Sequence, residues 1–247
     1  MTRNTSARVN LATKTWLKSC ITGMSIAAIG VASIAAPSIA SAKTIEPSSA
    51  TYNFTVENKY KGTATRTLSH SGNDWQYNVK ARVAGVASAS QNSSFSISGN
   101  QVRPTKASTT YKLFGIGSTH NLSFNNSKKQ VVSSYKGDTN TLSMPQQAFD
   151  DLSLEAQIRQ ELLNGKFSGN YYLAKKDKVE KTPFKKSGST KITVPAGTFD
   201  TVRVDRVHDD SSRSTSFWLA PSLDYLPVKV MQVNDGKKMD LELTKVN

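Results

Sequence analysis

Apolar residues recur at every second position through most of the chain after about residue 50. Tyr52, Phe54 and Val56 alternate with Asn53, Thr55 and Glu57. Trp75, Tyr77, Val79, Ala81 and Val83 alternate with Gln76, Asn78, Lys80 and Arg82. A period of two sends successive side chains to opposite faces of a strand, so each run has one buried and one wet face. Phe95 and Ile97, then 111–114, 122–124 and 131–135, keep the rhythm, and it resumes over 168–174, 199–207, 213–219, 228–230 and 239–243. The runs are short and end on turn residues: Ser71-Gly72-Asn73, Gly99-Asn100, 125–129, Pro195-Ala196-Gly197 and Asn234-Asp235-Gly236. An Asp-Gly pair between alternating runs is a strong hairpin signal. About ten to twelve strands in this rhythm predict an antiparallel sheet rather than alternating strands and helices.

The period changes once. Leu154, Ile158 and Leu162 recur every four residues and share a helix face. Asp150-Asp151 stands where carboxylates bond the free amides of a helix start, and Asn164-Gly165 supplies the stop. One principal helix is therefore expected, covering one end or one face of the sheet.

Arg3, Arg8, Lys14 and Lys18 precede an apolar stretch over 21–36, and Ala40-Ser41-Ala42 follows as a small-residue cleavage site. This is the pattern of a secretory signal peptide over 1–42. A short linker over 43–50 and a single β-rich domain over 51–247 follow. No later apolar run approaches membrane-spanning length. The one cysteine, Cys20, lies before the apolar stretch, the wrong side for lipidation, and is removed with the leader. The remaining chain has no thiol, which excludes disulfides, zinc–thiolate sites and thiol nucleophiles. The formal net charge of +14 falls to about +10 without the leader. For an exported chain that excess points to anionic lipid, acidic glycan or acidic protein, and not to nucleic acid. Periplasmic localisation is expected.

Motifs for chemistry are scarce. His208-Asp209-Asp210 is the nearest approach to a metal or acid–base cluster, but neighbours on a strand point apart. G-x-S-x-G is absent, and the glycines over 113–118 lack the lysine and spacing of a phosphate loop. No catalytic residue, metal ligand or cofactor is assigned. The strongest charge feature is Lys175, Lys176, Lys178, Lys181, Lys185, Lys186 and Lys191. It reads as a solvated hairpin or as a surface for an anionic lipid or glycan, where lysines act as flexible point charges. Tyr171-Tyr172 and Phe217-Trp218 place aromatic neighbours on opposite sheet faces. Tyr171 and Trp218 are the candidates to line a ligand groove; core packing is the alternative.

A spaced series of segments fills the carboxyl half. It comprises Asp151-Leu152-Ser153, Gln157, Thr193-Val194-Pro195-Ala196-Gly197-Thr198-Phe199-Asp200-Thr201 with Val204, Arg213-Ser214-Thr215-Ser216-Phe217-Trp218-Leu219-Ala220, and Leu226-Pro227-Val228-Lys229-Val230. Together they resemble the exported bacterial DUF3108 family, over most of 51–246. The resemblance implies an envelope protein of β-rich fold, located in the periplasm. The family is uncharacterised, so it transfers no catalytic residues. Pro195, Gly197, Trp218 and Pro227 belong to its signature and read physically as corner and packing residues. The architecture expected is a strongly curved antiparallel sheet wrapped around a helix, or an incomplete β-barrel. Likeness to periplasmic lipoprotein carriers is one of architecture only.

Three functions follow in order. The first is a soluble periplasmic binding or interaction protein for an envelope lipid or anionic glycan. The second is a structural or assembly factor with a filled core and a protein partner. The third is a cysteine-independent hydrolase. A continuous apolar cavity favours the first, a filled interior the second, and converging histidine and carboxylates the third.

Overall fold

The computed structural model describes residues 42–247. The expected signal peptide, Cys20 included, lies outside the described residues except for Ala42. Eight strands come first: β1 (Ser48–Val56), β2 (Tyr60–Ser71), β3 (Asp74–Val83), β4 (Ala87–Ser98), β5 (Gln101–Leu113), β6 (Ile116–Asn125), β7 (Gln130–Tyr135) and β8 (Asp138–Ser143). The two-residue strand β9 (Ala148–Phe149) leads into α1 (Asp151–Leu163). Six more strands follow: β10 (Asn170–Ala174), β11 (Val179–Val194), β12 (Gly197–Arg206), β13 (Arg213–Ala220), β14 (Leu226–Asn234) and β15 (Lys237–Val246).

All of them form a 15-stranded sheet in the order β8-β7-β6-β5-β4-β3-β2-β1-β15-β14-β13-β12-β11-β10-β9. It is two hairpin meanders joined by the antiparallel β1–β15 pair, where Phe54 faces Leu241 and Val56 faces Met239. This corrects the expected strongly curved antiparallel sheet or incomplete barrel. What forms is one large open sheet, whose edge strands β8 and β9 share no ladder. It is also mixed, because β9 and β10 run parallel. The reason is the single change of rhythm: a parallel neighbour needs a crossover of a dozen or so residues, and α1 supplies it. Each meander, in turn, adds a strand beside the one before it, and nothing obliges the two outer edges, β8 and β9, to meet.

The helix follows its sequence signals at both ends. The Asp150 carboxylate accepts from Leu152 N and Ser153 N, and the Ser153 hydroxyl accepts from Asp150 N, a reciprocal cap. Asn164 closes the other end, and Gly165 takes the left-handed conformation at φ +67°. Eleven of its 13 residues are buried, including Glu155, Gln157, Arg159, Gln160 and Glu161. Several of these polar side chains satisfy backbone groups in the turns and strand ends beside the helix. Gln157 bonds Val102 N and Asn100 O; Gln160 bonds Ile45 N, Lys43 O and Gly99 O; Arg159 donates to Asp224 O. The segment expected as a linker is thereby pinned to the helix, with Ile45 fully buried.

The main core joins Leu154, Ile158 and Leu162 of α1 to Trp75, Tyr77, Phe95 and Leu219 of the sheet. A second cluster gathers Tyr52, Val194, Trp218, Leu226 and Leu243. Among the described residues, no helix is long and apolar enough to cross a membrane.

Candidate functional site

The inward face of β2, β3 and β4 changes character along its length. At one end Trp75 faces Phe95 across the ladder, and Leu68 faces Tyr77. These large side chains and α1 fill the space. Further along, Val79 faces Gln91, Ala81 faces Ala89, and Val83 faces Ala87. Ala64 faces Ala81 from β2. The pleat continues, but the side chains have shrunk and the helix no longer covers them. The space left is a groove of about 770 Å³.

Phe54, Val56, Met239 and Leu241 wall the groove on the β1–β15 side, and Tyr111, Leu113 and Ile116 on the β5–β6 side. Gly62 makes one wall possible. A Cβ there would stand 2.5 Å from the Phe54 ring and from the Arg82 carbonyl oxygen. With no side chain at Gly62, the Phe54 ring lies across the β2 backbone and faces the groove. Leu113, Phe114 and Ile116 stand 57%, 71% and 82% exposed around the mouth.

The groove ends on Arg66 and Gln91. Arg66 Nη1 donates to Glu155 Oε2 at 2.5 Å, and the Tyr77 hydroxyl donates to Glu155 Oε1. The Tyr52 and Tyr77 rings lie 5.6 and 6.0 Å from the guanidinium carbon. Burial, then the Glu155 carboxylate, pushes the Tyr77 hydroxyl up to about 12. Burial opposes the charge on Arg66, but Glu155 with the Tyr77 and Tyr52 hydroxyls together outweighs it and holds the guanidinium above its ordinary range. The groove, mostly apolar along its walls, thus meets a guanidinium held from behind by Glu155, and Arg66 Nε is buried without a partner.

A polar pocket of about 500 Å³ adjoins the groove and shares Gln91, Tyr111 and Ser118 with it. His120, Tyr135, Lys175, Lys176 and Asp151 line it. The Lys176 ammonium stands 4.6 Å from the Tyr135 ring centre and that of Lys136 5.5 Å. Ser118 donates to the Tyr135 hydroxyl. The Ser133 hydroxyl proton goes to the Lys176 carbonyl, so the 2.9 Å contact with His120 requires the proton on Nε2. Burial, with Lys175 and Lys176, holds the His120 imidazole below its ordinary range against the opposing Asp151 carboxylate. Lys175 also approaches Asp151 at 3.9 Å. The pocket therefore sets two ammoniums against two carboxylates, Asp151 and the buried Asp150, whose own bonds go to the helix start and Ser93, and Lys176 is the ammonium that faces no carboxylate.

The residues singled out in the sequence are spread over several places. Tyr171 is 3% exposed, ringed by Phe149, Phe167 and Phe184, and its hydroxyl donates to Glu161. Trp218 is 8% exposed beneath the Arg203 guanidinium. Neither lines this groove, and Tyr171 borders a separate pocket of about 450 Å³ with Gln157, Glu161 and Ser168. Of the lysines, Lys175 and Lys176 lie beside it. Lys178 pairs with Glu180 and Lys191 with Asp200, while Lys186 sits over Phe167. Lys181 and Lys185 are exposed on β11. His208 contacts Thr215, and among the described residues no group of three or more His, Cys, Asp or Glu is placed to hold a metal. The groove itself was missed. Its signal was available in the small residues at alternate positions, Ala81, Ala87 and Ala89, and in an apolar Leu113-Phe114-Gly115-Ile116 where a turn is normally polar.

The family model described as "Protein of unknown function (DUF3108)" matches residues 49–242. No curated protein matches the chain. Among solved structures, it is similar to the crystal structure of a beta-barrel-like protein of domain of unknown function DUF1849 from Brucella abortus. That likeness has a TM-score of 0.56 and 11% sequence identity, and covers 83% of this chain and 98% of that one. At this identity the likeness is one of fold alone.

Proposed function

We propose that this chain, which belongs to the DUF3108 family, is a periplasmic binding protein that holds the acyl chain of an anionic envelope lipid. The observation that carries the reading is the groove of about 770 Å³, walled by Phe54, Val79, Ala81, Leu241 and their neighbours. Small-ligand sites run from about 300 to 1,000 Å³ and are mostly apolar with a few placed polar groups. Each methylene moved from water into such a wall contributes about 0.8 kcal/mol. Arg66 and Gln91 supply a polar stop. The polar pocket beyond Tyr111 offers Lys175 and Lys176 to an anionic head group. The lysine run of the sequence thus contributes through its first two members. An anionic glycan fits less well, because the larger of the two adjoining spaces offers it almost nothing to hydrogen-bond.

Native mass spectrometry of protein purified from its own cells, followed by extraction of the ligand, tests the reading. A reproducible bound lipid is expected, lost when Ala81→Phe or Ala89→Leu fills the groove. A ligand-free protein that copurifies with one stoichiometric protein partner overturns it.

A further inference from the structure

Successive turns of a meander alternate between its two ends, and here the ends differ in chemistry. At the helix end the turns are polar, built on Gly72-Asn73, Gly99-Asn100 and residues 126–129. At the groove end, the β3–β4 turn presents Val83 and Val86. The β5–β6 turn presents Leu113, Phe114 and Ile116, and Tyr60, half-exposed, follows the β1–β2 turn, whose residues 57–59 are polar, as are the β7–β8 and β14–β15 turns.

The β5–β6 turn is also strained. Phe114 and Gly115 take φ of +49° and +82°. A two-residue turn with both φ positive favours Asn-Gly or Asp-Gly, and a bulky aromatic at its first position is costly. In the folded chain the 71% exposed ring recovers little of that cost. Strain without a structural return directs attention to a partner. The Phe114 N–H donates to the Val86 carbonyl at 2.8 Å, tying the two apolar turns into one patch. The strand ends and turns at this end carry exposed lysines, Lys59, Lys61, Lys112, Lys237 and Lys238, against the exposed acids Glu57 and Asp235, and Lys238 pairs with Asp240, so the excess is basic.

We propose that this rim docks on a lipid bilayer. Leu113, Phe114 and Ile116 enter the boundary between head groups and acyl chains, Tyr60 sits at the interface, and the lysines meet anionic head groups. An apolar tip, then an aromatic, then a basic collar is the order that bilayer chemistry imposes. A protein patch has no need of it. The rim is continuous with the groove mouth. Resting on the acyl-binding reading, docking brings that mouth onto the membrane, so that a chain passes between them without crossing water.

Flotation with vesicles tests the proposal, using protein purified from its own cells. Binding is expected to phosphatidylethanolamine vesicles containing phosphatidylglycerol, and to weaken without phosphatidylglycerol or in high salt. Phe114→Asn should lower vesicle affinity about tenfold, and adding Ile116→Ser should lower it further. Phe114→Asn also creates the favoured Asn-Gly turn, so its Tm should hold or rise, which separates lost docking from lost folding. Ala81→Phe should keep vesicle binding while losing a soluble acyl probe. Vesicle binding equal in wild type and Phe114→Asn overturns the docking proposal, as does wild type that binds neither vesicle. A self-association or protein complex abolished by Phe114→Asn without vesicle binding assigns the rim to a protein instead. Retained probe binding in Ala81→Phe sinks the groove reading and leaves docking standing.

Discussion

The two ends of the β2–β3–β4 face use the same backbone and the same alternation for opposite purposes. At one end Trp75, Tyr77, Phe95 and α1 close the space; at the other Ala81, Ala87 and Ala89 leave it open. The difference lies in side-chain volume and in where the helix stops, not in secondary structure. Filling supplies stability, since buried aromatics carry large apolar area. The open end gives up that area, and the filled end compensates for it. A hollow of this kind is tolerable when the rest of the face is overdetermined, and here a capped helix whose buried Glu155, Gln157, Gln160 and Glu161 are hydrogen-bonded provides that.

The contrast is sharpest in paired truncations. Phe95→Ala, at the filled end, should cost about 3–5 kcal/mol in urea denaturation. Leu113→Ala, at the groove mouth, should stay within about 0.5 kcal/mol because its side chain is already largely in water. Equal losses at the two sites would erase the distinction.

A smaller effect is expected at the boundary, where α1 begins beside the polar pocket. Asp150→Ala removes the acceptor for two free amides and should cost about 1 kcal/mol in thermal unfolding. Asp150→Asn keeps an acceptor and should recover most of it. Failure of Asn to recover stability would mean that the bond from Ser93, rather than the cap, dominates.

The smallest effect is a pH slope. Burial holds His120 and His208 below the ordinary histidine value. The unfolded chain therefore takes up these protons first as pH falls through about 6.5, and stability declines below that point. Above it, both states are neutral and the contribution is whole. His120→Gln keeps a donor for Ser133 and should flatten the slope; an unchanged slope would place the titration on His208 or elsewhere.

How much of this was readable beforehand depended on the length scale of each signal. The helix was fully legible, because Asp150, the four-residue recurrence and Asn164-Gly165 are local. So was the β14–β15 hairpin, where Asp235 and Gly236 take the left-handed conformations that the Asp-Gly pair favours. The parallel β9–β10 pair was not: two residues of strand leave no periodicity to read. Tyr171 and Trp218 were sensible aromatic candidates, but alternation says only that a side chain faces inward. It does not say whether another element lies over it. Phe149, Phe167 and Phe184 lie against Tyr171, and nothing in the spacing around Tyr171 announces them. The groove needed the opposite inference, from smallness rather than from aromatic bulk.

The β1–β15 pair gives the molecule a direction in time. Every other antiparallel contact joins neighbours in the chain, so the meanders can zip up by short loop closures. The seam must instead bring together segments from the beginning and the end of the domain, at a larger entropic cost. Phe54 and Val56 meet Leu241 and Met239 only across that seam, so this wall of the groove is completed by the contact with the largest loop to close. A guest lying against both sides would then act as a clasp. It would slow the parting of the two meanders and make the lifetime of the folded chain depend on its cargo.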